Sequence, residues 1–101
     1  MLIPSLAPET SSLVAREAAA AGTPVIAFGN GALSETVQDG RTGYLVDDAD
    51  GMARAMTRLD QIDPQVCRAH AREQFSLSRM TDSYLDLYRR LIAASSAARA
   101  A

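Results

Sequence analysis

Two carboxylates, Glu9 and Glu17, flank a Thr10-Ser11-Ser12 run that leads into an alanine-rich stretch ending at Gly22. Ser11 or Ser12 is placed to cap a helix running from about Ser12 to Ala21. The first amides of a helix lack intrahelical partners and carry the positive end of its dipole. Three residues beyond Thr10, Ser11 or Ser12 stand Leu13, Val14 or Ala15, so no glutamate folds back to close a capping box. Those amides stay open to an anion. Glu9 would then precede the anion, and Glu17 would lie roughly 8 Å further along the axis at about 1.5 Å per residue. A diphosphate on the amides could extend its nucleoside past Glu17 and its other substituent toward Glu9.

A helical wheel sharpens one expectation. Leu13, Val14, Ala18 and Ala21 fall within an apolar arc of roughly 140°, with Glu17 inside it and Arg16 pointing away. A carboxylate on a sheet-facing surface is costly unless bonded, so the wheel predicts that Glu17 has a partner. An ordinary structural carboxylate, satisfied by an amide or an arginine, fits the wheel as well as a ligand-binding one does.

The elements that must position these residues follow from pattern. Met1-Leu2-Ile3-Pro4 reads as the end of a buried strand, and Val25-Ile26-Ala27-Phe28 as a strand buried on both faces of a parallel sheet. With the intervening helix they form a βαβ unit, and open α/β sheets bind ligands at the carboxyl edge, where the helix starts. Gly29-Asn30-Gly31 permits positive φ or close backbone approach. A short helix over 34–38, turns at Asp39-Gly40 and Thr42-Gly43, and a strand Tyr44-Leu45-Val46 come next. Helices over about 50–59, 64–73 and 78–94 follow, the last with Met80, Tyr84, Leu87, Tyr88 and Leu91 at helical spacing. The Ala/Ser-rich end over 93–101 is expected to fray. The fold class is thus α/β, a partial Rossmann-like three-layer domain with about three parallel strands, flanking helices and a helical C-terminus. So few strands suggest the C-terminal part of a larger domain.

Composition bounds the function. The 101 residues are 48% apolar and 22% charged, which is globular, and ten basic residues against twelve acidic ones without like-charge runs argue against nucleic acid as a partner. Every cation is arginine, which excludes lysine Schiff-base chemistry in this chain. The single cysteine, Cys67, forms no intrachain disulfide, and with no signal-peptide pattern a cytoplasmic location is expected. Cys67 and His70, without partners at metal-ligand spacing, read as structural residues of a surface helix. Asp47, Asp48 and Asp50 read as caps.

The residues also resemble a family. Pro4-Ser5, Glu9-Thr-Ser-Ser-Leu-Val-Ala-Arg-Glu17-Ala, Gly22-Thr-Pro-Val-Ile-Ala, Gly31-Ala-Leu-Ser-Glu35 and Asp39-Gly-Arg-Thr-Gly-Tyr-Leu-Val46 are similar to blocks of the family-4 (group 1) retaining glycosyltransferases of the GT-B fold. The likeness extends more weakly to about residue 92. It implies that residues 1–92 are the C-terminal part of a nucleotide-sugar binding domain. By that resemblance Glu9 is the catalytic-site carboxylate beside the donor sugar and Glu17 accepts the ribose hydroxyls. The Leu13 and Val14 amides would hold the diphosphate, and those of Thr10, Ser11 and Ser12 would line the sugar pocket.

The implied donor is a UDP- or GDP-linked sugar, with no cofactor and no metal. Thr10, Ser11 and Ser12 replace the glycine and aromatic usual between the two glutamates, and Ala19 replaces the usual Met. The family's upstream Arg and Lys phosphate clamp and its N-terminal acceptor domain have no counterpart here. The chain is therefore expected to work as part of a longer one, peripheral at the inner membrane in some settings, to be inactive alone, and to self-associate through its unpartnered surfaces. The alternative is a non-catalytic α/β module that binds a nucleotide or a protein partner, with both glutamates structural.

Overall fold

A computed structural model describes residues 1–100. In chain order the elements are β1 (Leu2–Ile3), α1 (Leu13–Ala20), β2 (Val25–Phe28), α2 (Leu33–Thr36), β3 (Gly43–Val46), α3 (Ala49–Met56), a 3-10 turn (Leu59–Gln61), α4 (Pro64–Gln74) and α5 (Leu77–Ala100). The three strands form one parallel sheet in the order β1-β2-β3. The register pairs Ile3 with Ala27 and Val25 with Gly43. The expected α/β class and parallel sheet are observed.

Two apolar layers sandwich the sheet. On one face Ile3, Val25 and Ala27 pack with Ala15 and Ala18 of α1 and with Leu33 and Val37 around α2. On the other, Ile26 and Tyr44 pack with Met52 and Ala55 of α3 and with Ile62 and Cys67. Side chains alternate across a strand, so neighbouring Ile26 and Ala27 serve opposite layers. Ile26 and Leu33 are each fully buried, a contribution of about 1.5–3 kcal/mol apiece. β1 lies at an edge; of the strand expected to be buried, Ile3 is buried and Leu2 is exposed.

Local sequence explains the boundaries. Asp48 starts α3 by accepting from the Gly51 amide at 2.7 Å, as the cap reading anticipates. Asp63 accepts from the Gln65 amide at 2.8 Å and Pro64 occupies the first turn of α4.

The structure corrects several expectations. Cys67 and His70 lie not on the outer side of α4 but, with Ala71, on its buried face, while Gln65, Arg72 and Glu73 face outward. His70 Nε2 lies 3.2 Å from the Thr36 carbonyl, the separation of a hydrogen bond from the Nε2–H tautomer. The helix expected over 50–59 ends at Met56 and gives way to the 3-10 turn. α5, expected to end near residue 94, runs on to Ala100 across the described residues. None of α5 is buried, and Met80, Tyr84, Leu87, Tyr88 and Leu91 lie exposed along it. No helix among the described residues is long and apolar enough to cross a membrane.

Candidate functional site

The carboxyl ends of β1 and β2 release two loops that hold each other. Asn30, two residues beyond β2, donates from Nδ2 to the carbonyls of Ser5 (3.2 Å) and Leu6 (3.4 Å). The Ala32 amide donates to the Glu9 carbonyl at 2.8 Å, and Glu9 pairs with Gly31 as an isolated parallel bridge. This is the close backbone approach that the Gly-Asn-Gly sequence suggests. A Cβ on Gly31 would lie 2.5 Å from the Glu9 carbonyl oxygen, and Gly31 has φ +52°. Only glycine meets both conditions without strain.

The Glu9 side chain is fixed as well. Its carboxylate accepts from Ser5 Oγ at 2.8 Å, and the residue is half-buried. Ser5, Leu6, Ala7, Pro8, Glu9 and Thr10 line an open hollow of about 460 Å3.

Beyond Thr10 the chain turns sharply into α1. Ser12 occupies the N-cap with φ +52° and ψ 70°, a left-handed conformation that costs a non-glycine residue about 1–3 kcal/mol. Ser12 is buried, yet its side chain makes no capping bond, and no acidic residue stands in the first turn. The Ser12 carbonyl accepts from the Arg16 amide at 3.3 Å, so the helix starts without a side chain over its leading amides. Leu13 and Val14, at 66% and 50% exposure, leave this end of α1 facing outward. Donors without partners at a positive helix terminus are an anion-binding arrangement.

The structure shifts the buried face relative to the wheel, keeping Ala18 but not Leu13 or Val14. Ala15, Ala18 and Ala19 are the buried face of α1, whereas Leu13, Val14 and Glu17 are exposed. Alanine lets α1 lie close to both the sheet and α4, so size rather than hydrophobicity selects the face. The Glu17 carboxylate has no hydrogen bond or ion pair among the described residues, contrary to the partner expected for it, while its carbonyl accepts from the Ala21 amide at 3.0 Å within the helix. Arg16, expected to point away, is half-buried with its guanidinium carbon 5.1 Å from the Phe75 ring centroid.

Glu9 and Glu17 therefore do not share one hollow. Glu9 and Thr10 face the loop hollow, while Glu17 lines a groove between α1, α4 and the start of α5. The uncapped end of α1 lies between them in sequence. Sequence reasoning missed Ser5 and Asn30 as the residues that hold the Glu9 loop. The one available signal was their position directly beyond two buried strands.

Comparisons with known proteins identify the family. Residues 1–61 match the model of a family described as Glycosyl transferases group 1. The chain belongs to this glycosyltransferase family. It is 42% identical over 94 residues to a D-inositol 3-phosphate glycosyltransferase of Saccharomonospora viridis, covering 85% of this chain and 22% of that protein. It is 44% identical over 89 residues to one of Nocardioides, covering 81% of this chain and 19% of that protein. Among solved structures, sucrose-phosphate synthase from Thermosynechococcus elongatus superposes with a TM-score of 0.71 at 37% identity, covering 92% of this chain and 25% of that one. The fold is that of part of a GT-B glycosyltransferase, and the chain spans about a fifth of the length of the curated relatives it matches.

Proposed function

We propose that these residues form the donor-binding part of a retaining enzyme that moves a sugar from a nucleotide diphosphate to an acceptor hydroxyl. The observation that carries this reading is the uncapped first turn of α1, set beside a carboxylate fixed by Ser5 and Gly31 at the carboxyl edge of a parallel sheet. The Leu13 and Val14 amides hold the diphosphate, and the amides of Thr10, Ser11 and Ser12 line the sugar site. Glu17, exposed and without an internal partner, accepts from the ribose hydroxyls. Glu9 stands beside the anomeric carbon, where positive charge develops as the diphosphate departs.

Catalysis on this reading is electrostatic. Preorganised main-chain dipoles meet the charge that grows on the leaving diphosphate, and no metal takes part. The inositol phosphate named in the relatives is the working candidate for the acceptor. Cations that clamp the diphosphate, and an acceptor domain, come from the rest of a longer chain, which works in the cytoplasm or at the inner face of a membrane.

Titrating UDP and GDP into the chain while recording amide spectra tests the reading. Perturbations centred on residues 9–17 support it. Perturbations centred elsewhere, or none at millimolar nucleotide in a folded sample, overturn it.

A further inference from the structure

The groove beside Glu17 has a character of its own. It encloses about 500 Å3 between α1, α4 and the first turn of α5, and three guanidinium groups line it: Arg16, Arg68 and Arg72. Leu13, Phe75 and Met80 supply apolar walls. The ion pair recorded among the described residues is Arg90 with Asp86, further along α5, so none of the three arginines is in an ion pair. Glu17, the acid in the groove, leaves it two positive charges in excess.

Two of the arginines are held but not satisfied. Arg16 stacks on Phe75, whose ring meets the edge of His70 at 5.1 Å, so the side chain is braced against the buried face of α4. Its Nε is buried with no hydrogen-bond acceptor, a state that costs about 1–3 kcal/mol unless an acceptor arrives. Arg68 lies flat against Gly22, where a Cβ would come within 2.6 Å of its guanidinium carbon, and uses a single donor on the Ala21 carbonyl at 3.3 Å. Arg72 is exposed at the end of α4.

From this geometry we infer that the α1–α4–α5 groove binds a small organic anion, a phosphate or carboxylate head on an aromatic or other apolar body. The head lies among the Arg16, Arg68 and Arg72 guanidiniums, which offer paired N–H donors to such oxygens. The body lies against Leu13, Phe75 and Met80, where apolar contact separates this ligand class from a free inorganic anion. Leu13 and Glu17 border both this groove and the nucleotide site proposed above, but the inference does not rest on the sugar-transfer reading, since none of the three arginines belongs to the loop and amides assigned to the nucleotide.

The test uses 1-naphthyl phosphate on the 101-residue chain, with inorganic phosphate and 1-naphthol as its two halves. Saturable amide shifts are expected in residues 13–20 and 68–80, with a Kd at least about tenfold below that of either half. Arg16→Gln weakens binding about tenfold and the exposed Arg72→Ala about threefold. Glu17→Gln tightens it by removing the one opposing charge, while the same substitution weakens UDP, so the two ligands respond in opposite directions at the residue they share. Circular dichroism checks each variant, and Arg72→Ala, at an exposed helix position, carries the test if Arg16→Gln unfolds. Equal Kd values for naphthyl and inorganic phosphate, shifts centred outside the groove, or an unchanged Kd in Arg72→Ala would overturn the inference.

Discussion

Gly31 and Glu9 touch backbone to backbone. The Glu9 carbonyl oxygen sits 2.5 Å from where a Cβ on Gly31 would stand, and the Ala32 amide beside it donates to the same oxygen at 2.8 Å. The loop carrying the candidate carboxylate is thereby tied to the end of β2, so its position depends on the absence of one side chain. Gly31→Ala should lower stability by about 2–4 kcal/mol, through the positive φ together with the clash. Gly29→Ala provides the control, because a Cβ there meets only Leu45 Cβ at an ordinary 3.9 Å. Urea denaturation of both variants checks the contrast, and equal midpoints would refute the tie.

The two glutamates should separate by ligand. If Glu17 bonds the ribose, Glu17→Gln weakens UDP about fivefold to thirtyfold, the worth of about 1–2 kcal/mol for an exposed charge-assisted bond. Inorganic pyrophosphate, which lacks the ribose, should bind the variant as it binds the parent. Glu9→Gln should leave both ligands nearly unchanged, because its role falls on the sugar. Calorimetric titrations decide, and a Glu17→Gln effect of equal size on pyrophosphate would remove the ribose assignment.

Cys67 couples stability to pH. Burial, the largest influence, pushes its thiol above the ordinary 9.0, and nearby Asp63 adds to the rise. In the unfolded chain the thiol ionises first as pH climbs past 9.0, so the unfolded state then binds fewer protons than the folded one. The contribution of Cys67 is full below 9.0 and is lost as pH rises toward the folded value. A Cys67→Ala variant should be less stable at pH 7 because of the cavity, yet should lose less stability between pH 8 and pH 10 than the parent. Parallel slopes over that range would show that the thiol does not couple.

The exposed α5 stripe should drive association. Tyr84, Leu87, Tyr88 and Leu91 are 41–57% exposed, and the β1 edge has no strand beyond it among the described residues. Sedimentation equilibrium should find dimers or larger species at tens of micromolar, with Tyr84→Asp combined with Leu87→Asp shifting the chain toward monomer. A parent chain that stays monomeric at millimolar concentration would contradict this.

The sequence by itself determined the elements whose signals are local. Val25-Ile26-Ala27-Phe28 is uniformly apolar because both its faces are covered, and that run marks a buried parallel strand before any contact is known. Gly29-Asn30-Gly31 announced a backbone approach, and Asp48 a cap, since both depend on neighbours a few residues away or on the glycine itself. The absence of a glutamate three residues beyond Thr10, Ser11 or Ser12 pointed to the open end of α1.

Tertiary structure alone decided which side of α1 faces inward. Leu13 and Val14 outrank alanine in hydrophobicity, but α1 is squeezed between the sheet and α4, and only Ala15, Ala18 and Ala19 fit that gap. The choice turned Glu17 outward and drew Arg16 onto Phe75, a residue 59 positions later. The same packing buried Cys67 and His70, which a single-helix pattern assigns to the surface. Close packing responds to the shape of partners distant in sequence, and one helix's periodicity carries no record of them.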